Sequence, residues 1–146
     1  MTTIHIPGRP VPCPRPRVTK RGVFYPNHYE AWIAEAGLRA NVAVAVGQPL
    51  RGPVAATVLV NTDGRYGDAD NYAKSALDAV QHVAFVGGDD RVVSDLYVSR
   101  RCIEPLGMEI TLNEHSDAAM YAMARRIIER TAHGMAGFLA HIEAQS

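Results

Sequence analysis

The stretch VAATVLVNTDGRYGDADNYAKSALDAVQH, residues 54–82, decides how the chain folds. Its opening, Val54 to Asn61, is rich in Val and Thr and apolar on both faces, which predicts a central strand. A polar loop follows from Thr62 to Gly67. The periodicity then changes. From about Asp68 to His82, Ala73, Leu77 and Val80 recur at helical spacing and predict a helix with one apolar stripe.

On the N-terminal side, Thr3 to Ile6 alternates polar and apolar residues and reads as a short strand carrying Ile4 and Ile6 on one face. The prolines between Pro7 and Pro16 forbid a helix and make an extended arm that ends in a turn at Lys20-Arg21-Gly22. Asn27 followed by Glu30 resembles a capping box. The helix it opens carries Trp32, Ile33, Ala36, Ala40 and Val44 as its stripe and ends at Gly47 and Pro49. Beyond the central helix, Gly87-Gly88-Asp89-Asp90 reads as a loop, and Arg91 to Ser99 and Met108 to Leu112 as strands. The Glu104-Pro105-Leu106-Gly107 link between those strands suits a hairpin. Ser116 caps a last helical region with Met120, Met123, Ile127 and Thr131 at helical spacing. Gly134 is expected to break it ahead of a second stripe, Met135, Phe138, Leu139 and Ile142. The order predicts an α/β fold: a single compact domain with a small mixed sheet flanked by helices, plus a C-terminal helical extension.

The 146 residues fit one domain long enough to bury a core without staples. No apolar run approaches the roughly 20 residues of a membrane span. The N-terminus lacks a signal peptide's apolar stretch. Cys13 and Cys102 form no CxxC pair and read as free thiols, so a cytoplasmic location is expected. The histidines are scattered without HxxxH spacing, which argues against zinc. Net charge is zero, a mild argument against a DNA-binding protein. The distribution says more than the sum. Arg9, Arg15, Arg17, Lys20 and Arg21 fall in the first 22 residues with no acid among them, whereas the middle of the chain is rich in aspartate. A basic arm beside an acidic pocket suits a metal-dependent enzyme acting on a polyanion.

The informative acids are Asp68, Asp70 and Asp78, with Asp89-Asp90 after the glycine loop. Asp70, Lys74 and Asp78 repeat every four residues and share one helix face. Taken singly, each aspartate has an ordinary structural use: caps and first helical turns favour Asp, and so do turns after Gly-Gly. Together they are harder to place. Two like charges about 4 Å apart repel by roughly 1 to 4 kcal/mol between water and a protein-surface dielectric, so converging carboxylates call for a cation. Hard ions such as Mg²⁺ take carboxylate oxygens and bind substrate phosphates. The EF-hand pattern is absent. Lys74 has a plain alternative as a surface ion pair with Asp70 or Asp78.

The run Asp68-x-Asp70-Asn71-x-x-Lys74-x-x-x-Asp78-Ala79, then Asp89-Asp90 and Asp95, resembles the RusA family of Holliday junction resolvases. The opening Ile6-Pro7-Gly8-Arg9-Pro10-Val11-Pro12 with Arg15-Pro16-Arg17 is similar to its phage and prophage members. The likeness covers roughly residues 4 to 112, giving a nuclease domain over 1–113 and an extension over 114–146, packed on that domain or at a dimer interface. The resemblance implies catalytic residues Asp68, Asp70, Lys74 and Asp90. Asp68, Asp70 and Asp90 would be the metal ligands, with Asp89 as the alternative to Asp90. It further implies Mg²⁺, for which Mn²⁺ can substitute, and a homodimer that nicks four-way DNA junctions symmetrically. Arg15, Arg17, Lys20, Arg21 and Asn71 are the expected DNA contacts. Tyr66, Tyr72 and Phe24 could stack on bases, although core packing is the expected role of Phe24.

Two other classes compete with this reading. A metal-dependent nucleotide phosphohydrolase would need a closed small-molecule pocket, which the long basic arm opposes. A non-catalytic DNA-binding module would use the aspartates as caps and bind without metal.

Overall fold

From the N-terminus, β1 (Thr2–Pro7) is followed by a hairpin of β2 (Arg17–Thr19) and β3 (Gly22–Phe24), and then by α1 (Asn27–Val44) and β4 (Val54–Asn61). Next come α2 (Ala69–Ala84), a 3-10 turn over Asp90–Val92, β5 (Val93–Arg101), β6 (Gly107–Glu114) and α3 (Asp117–Glu143). The computed structural model describes residues 1–44, 49–64 and 67–143. The chain divides into two compact units, Met1–Glu114 and His115–Ser146.

The first unit is an α/β domain on a four-stranded sheet of order β1-β6-β4-β5. β4 lies inside the sheet, antiparallel to β6 and parallel to β5. The parallel neighbour requires a crossover, and α2 supplies it. Register puts the apolar residues of three strands on one face: Val58 pairs with Ile110, which pairs with Ile4, and Val60 pairs with Met108, which pairs with Ile6. That face meets Ala36, Ala40 and Val44 of α1 and Ala76, Ala79 and Val80 of α2 in one buried cluster. Burial of each Val or Ile there is worth about 1.5–3 kcal/mol. α1 packs on α2 and β1, and α2 packs on β5 and β4. The start of α2 is thereby fixed beside the end of β4, where the acidic run lies.

Several local expectations are corrected. Asn27 lies inside the first turn of α1 rather than capping it, because the Pro26 carbonyl accepts from the backbone N–H of Tyr29 (2.9 Å) and Glu30 (3.2 Å). β5 and β6 do not form a hairpin. β4 lies between them, so the link crosses the end of β4, where Asn61 Nδ2 donates to the Pro105 carbonyl at 3.1 Å. Asp90 begins a 3-10 turn instead of continuing a loop. The second unit contains one continuous helix, α3, through Gly134; a lone glycine costs only about 1 kcal/mol relative to alanine, too little to stop it. Phe24 is not core: it is 49% exposed on the hairpin. The helix stop at Gly47, Tyr66, and the side chains of Met135, Phe138, Leu139 and Ile142 lie outside the described residues. Among the described residues no helix is long and apolar enough to cross a membrane.

Candidate active site

The acidic run begins where β4 hands over to α2. Asp68 occupies the N-cap position of α2 with extended backbone (φ −82°, ψ 162°), yet its side chain makes no capping hydrogen bond. Its carboxylate is therefore not used by the helix. Asp89 behaves in the opposite way. It caps the 3-10 turn, accepting from the Arg91 backbone N–H at 2.9 Å and from Arg91 Nε at 2.7 Å. The hydrogen bonds from Arg91 hold its carboxyl below the usual range. Asp90, one residue on, faces α2, with Oδ2 3.8 Å from Lys74 Nζ. Of the two adjacent aspartates, one serves the turn and the other the helix face.

Lys74 forms an ion pair with Asp78, one turn along α2, rather than with Asp70. Asp78 is held in turn by Tyr29 of α1, whose hydroxyl donates to Oδ2 at 2.9 Å. Tyr29 is buried at 3% exposure, and burial, followed by its hydrogen bonds with Cys13 and Asp78, pushes its phenol upward. Partial burial pulls the Lys74 ammonium down, but the hydrogen bond and charge of Asp78 and the charge of Asp90 outweigh it, and its pKa lies above the ordinary 10.5. Lys74 is thus a fixed cation at neutral pH.

The proline-rich arm is not loose. Cys13 N–H donates to the Asn71 carbonyl at 2.9 Å, tying the arm to the first turn of α2. Arg9 pairs with Asp63. Gly67 (φ +83°) lets Pro12 sit against the chain just before α2: a Cβ at position 67 would stand 2.5 Å from Pro12 Cβ. Arg100 Nη1 bonds the Gly67 carbonyl at 3.0 Å from β5. These contacts enclose a cleft of about 740 Å³. One wall is the arm, with Arg9, Pro12 and Arg15; the other holds Asp63, Asp68, Asp70, Asn71 and Tyr72, and His28 of α1 also lines it. A shallower apolar hollow of about 440 Å³ between α2 and β5 shares Asp70 with this cleft and reaches Lys74.

The structure therefore brings Lys74, Asp78 and Asp90 together, and sets Asp68, Asp70, Asn71 and Arg15 around one cleft. It leaves Arg17, Lys20 and Arg21 exposed on the hairpin. Among the described residues no three His, Cys, Asp or Glu side chains are grouped closely enough to hold one ion, and no ion pair joins Asp68 or Asp70 to a cation. The donor chemistry of Asp68, Asp70 and Asp90 suits a hard divalent ion, since all three offer only carboxylate oxygens. Sequence reasoning missed Tyr29, Asp63 and His28. Tyr29 and Asp78 are 49 residues apart, and no local pattern announces such a pair.

The family model of endodeoxyribonuclease RusA matches residues 7–113. The chain belongs to the RusA family. RusA members are hydrolases that act on Holliday junctions, in a nuclease class generally dependent on divalent metal. The matched span takes in the arm, both cleft walls, α2 and the 3-10 turn. Membership sets aside the phosphohydrolase and the non-catalytic module as readings of this chain. No curated protein matches it.

Proposed function

We propose that this chain is a Mg²⁺-dependent, structure-specific endonuclease that resolves four-way DNA junctions by paired symmetric nicks as a homodimer. The observation that carries the reading is the cleft in which the basic arm faces Asp68 and Asp70, next to a hollow that Asp70 shares with Lys74, whose ammonium lies 3.8 Å from Asp90.

Asp68, Asp70 and Asp90 would hold the divalent ion, Mg²⁺ or Mn²⁺, and Asp89 is left to its turn. When bound, such an ion neutralises the scissile phosphate and supplies a nucleophile at neutral pH. The protein's own part is placement and charge. Lys74, protonated and held by Asp78, presents a fixed positive charge to the negative charge that develops on the phosphate; preorganised charge of this kind costs no rearrangement during reaction. Tyr29 holds Asp78. Arg15 and Asn71 contact the backbone of the strand entering the cleft, and Arg17, Lys20 and Arg21 contact phosphates beyond it, positioning DNA without reading sequence. A C₂ dimer sets two such sites in the relation that paired nicks require.

The test is a labelled four-way junction incubated with and without Mg²⁺, using wild-type protein and Asp70→Asn. Wild type should cut only with Mg²⁺ or Mn²⁺. Asp70→Asn should bind the junction and not cut it. Full cleavage in EDTA would refute the reading.

A further inference from the structure

The β2–β3 hairpin displays side chains for which a solvated turn has no use. Val18 is 77% exposed, Val23 58% and Phe24 49%. Val18 pairs across the hairpin with Val23, and Arg17 with Phe24, so alternation places the two valines on one face and the arginine with the aromatic ring on the other. All residues of both strands are exposed, so neither face is covered. Two short strands with both faces in water are marginal alone. The turn between them is shaped locally, with Thr19 Oγ1 accepting from the Arg21 N–H at 3.1 Å.

The charge around these apolar residues selects the occupant. From Arg15 to Phe24 the chain carries Arg15, Arg17, Lys20 and Arg21 and no acid, which calls for a polyanion. Self-association through the hairpins would be isologous and would set these cations against their own copies. Duplex DNA offers phosphates but keeps its base faces stacked. A branch point offers phosphates together with unstacked base faces, to which apolar and aromatic side chains can bind.

Resting on the function proposed above, we propose that the β2–β3 hairpin enters the open centre of branched DNA, Phe24 on one face and the Val18–Val23 pair on the other each covering unstacked bases, while Arg17, Lys20 and Arg21 hold the flanking phosphates. The hairpin then supplies preference for junction over duplex, separately from the chemistry in the cleft.

The experiment measures binding of the full chain, without divalent metal, to a four-way junction carrying 2-aminopurine at the branch point and to a linear duplex of the same arm sequence. Wild type should bind the junction more tightly and change the 2-aminopurine fluorescence. Phe24→Ala should lose roughly 5- to 150-fold in junction affinity, the equivalent of one base stack, with duplex affinity unchanged and the fluorescence change lost. Phe24→Trp should retain all three properties. Val18→Thr with Val23→Thr should reduce junction preference in the same direction. An unaltered junction-to-duplex ratio in Phe24→Ala and in the double valine variant would overturn the proposal. So would an unaltered ratio with a shift to monomer on sedimentation, which would assign the apolar residues to a second copy. Because the assay needs no cleavage, a wild type that prefers junctions by this contact but never cuts them would refute the proposed reaction and leave the hairpin's role standing.

Discussion

The Tyr29 hydroxyl donates to one oxygen of the Asp78 carboxylate, and the other oxygen of that carboxylate accepts from the Lys74 ammonium. A buried residue of α1 therefore fixes the carboxylate that fixes the lysine. Tyr29→Phe leaves a half-buried carboxylate without one donor and should cost about 1–3 kcal/mol of stability, measured by urea unfolding. It should also lower kcat on junction DNA with little change in KM, because the substrate contacts are untouched. Wild-type kcat at a temperature where the variant is fully folded would show that the hydrogen bond only stabilises the fold.

Gly67 carries the second prediction. Alanine there meets both a positive φ, worth about 1–3 kcal/mol, and the ring of Pro12 at 2.5 Å. Gly52 has a similar φ of 79° with nothing within 4 Å of its Cβ, so Gly52→Ala isolates the backbone cost. Gly67→Ala should be the more destabilising of the two and should reduce cleavage, because the arm forms a wall of the cleft. Equal unfolding energies for the two variants would mean that the arm yields freely.

What was readable in the sequence follows from how local the signals are. The strand over Val54–Asn61 and the helix after it are periodic patterns, and Asp68, Asp70, Lys74 and Asp78 sit in the same run. The position of β6 beside β4 was not readable, because strand order is set by long-range pairing and the link after β5 looked like an ordinary hairpin turn. The Arg9–Asp63 and Tyr29–Asp78 contacts and the fit of Pro12 on Gly67 join distant segments and leave no local trace. Phe24 looked like core because an aromatic beside β-branched residues usually is; only the hairpin pairing shows both faces in water. Asp90, with Asp89 as its alternative, rested on resemblance and not on any local pattern; the 3-10 turn gives the two carboxylates different partners, Arg91 for Asp89 and Lys74 for Asp90.

The charge state of Lys74 gives a pH dependence. Its folded pKa lies above the ordinary 10.5, so the stability it contributes is present below the unfolded value and is lost as pH rises through the folded one. The difference in thermal stability between wild type and Lys74→Met should stay constant from neutral pH to about 10 and shrink only above the ordinary lysine pKa. A difference that already shrinks near pH 8 would mean that Asp78 and Asp90 do not outweigh burial.

The C-terminal helix α3 carries Met120, Met123 and Ile127 at helical spacing, and an apolar stripe of that length needs a partner surface. Ending the chain after Asn113 should lower the melting temperature or shift sedimentation toward the monomer. A truncated chain equal to the full one in both measurements would give the helix neither role.

Paired resolution by two equivalent acidic sites would leave a distinctive pattern of ends. The most direct measurement maps the 5′ ends produced from a strand-labelled four-way junction in Mg²⁺, beside a linear duplex of the same sequence. Nicks should fall at equivalent positions in two opposing strands of like polarity, made by a dimer, with the duplex cut much more slowly. Equal cleavage of junction and duplex, or single unpaired nicks made by an active monomer, would contradict it.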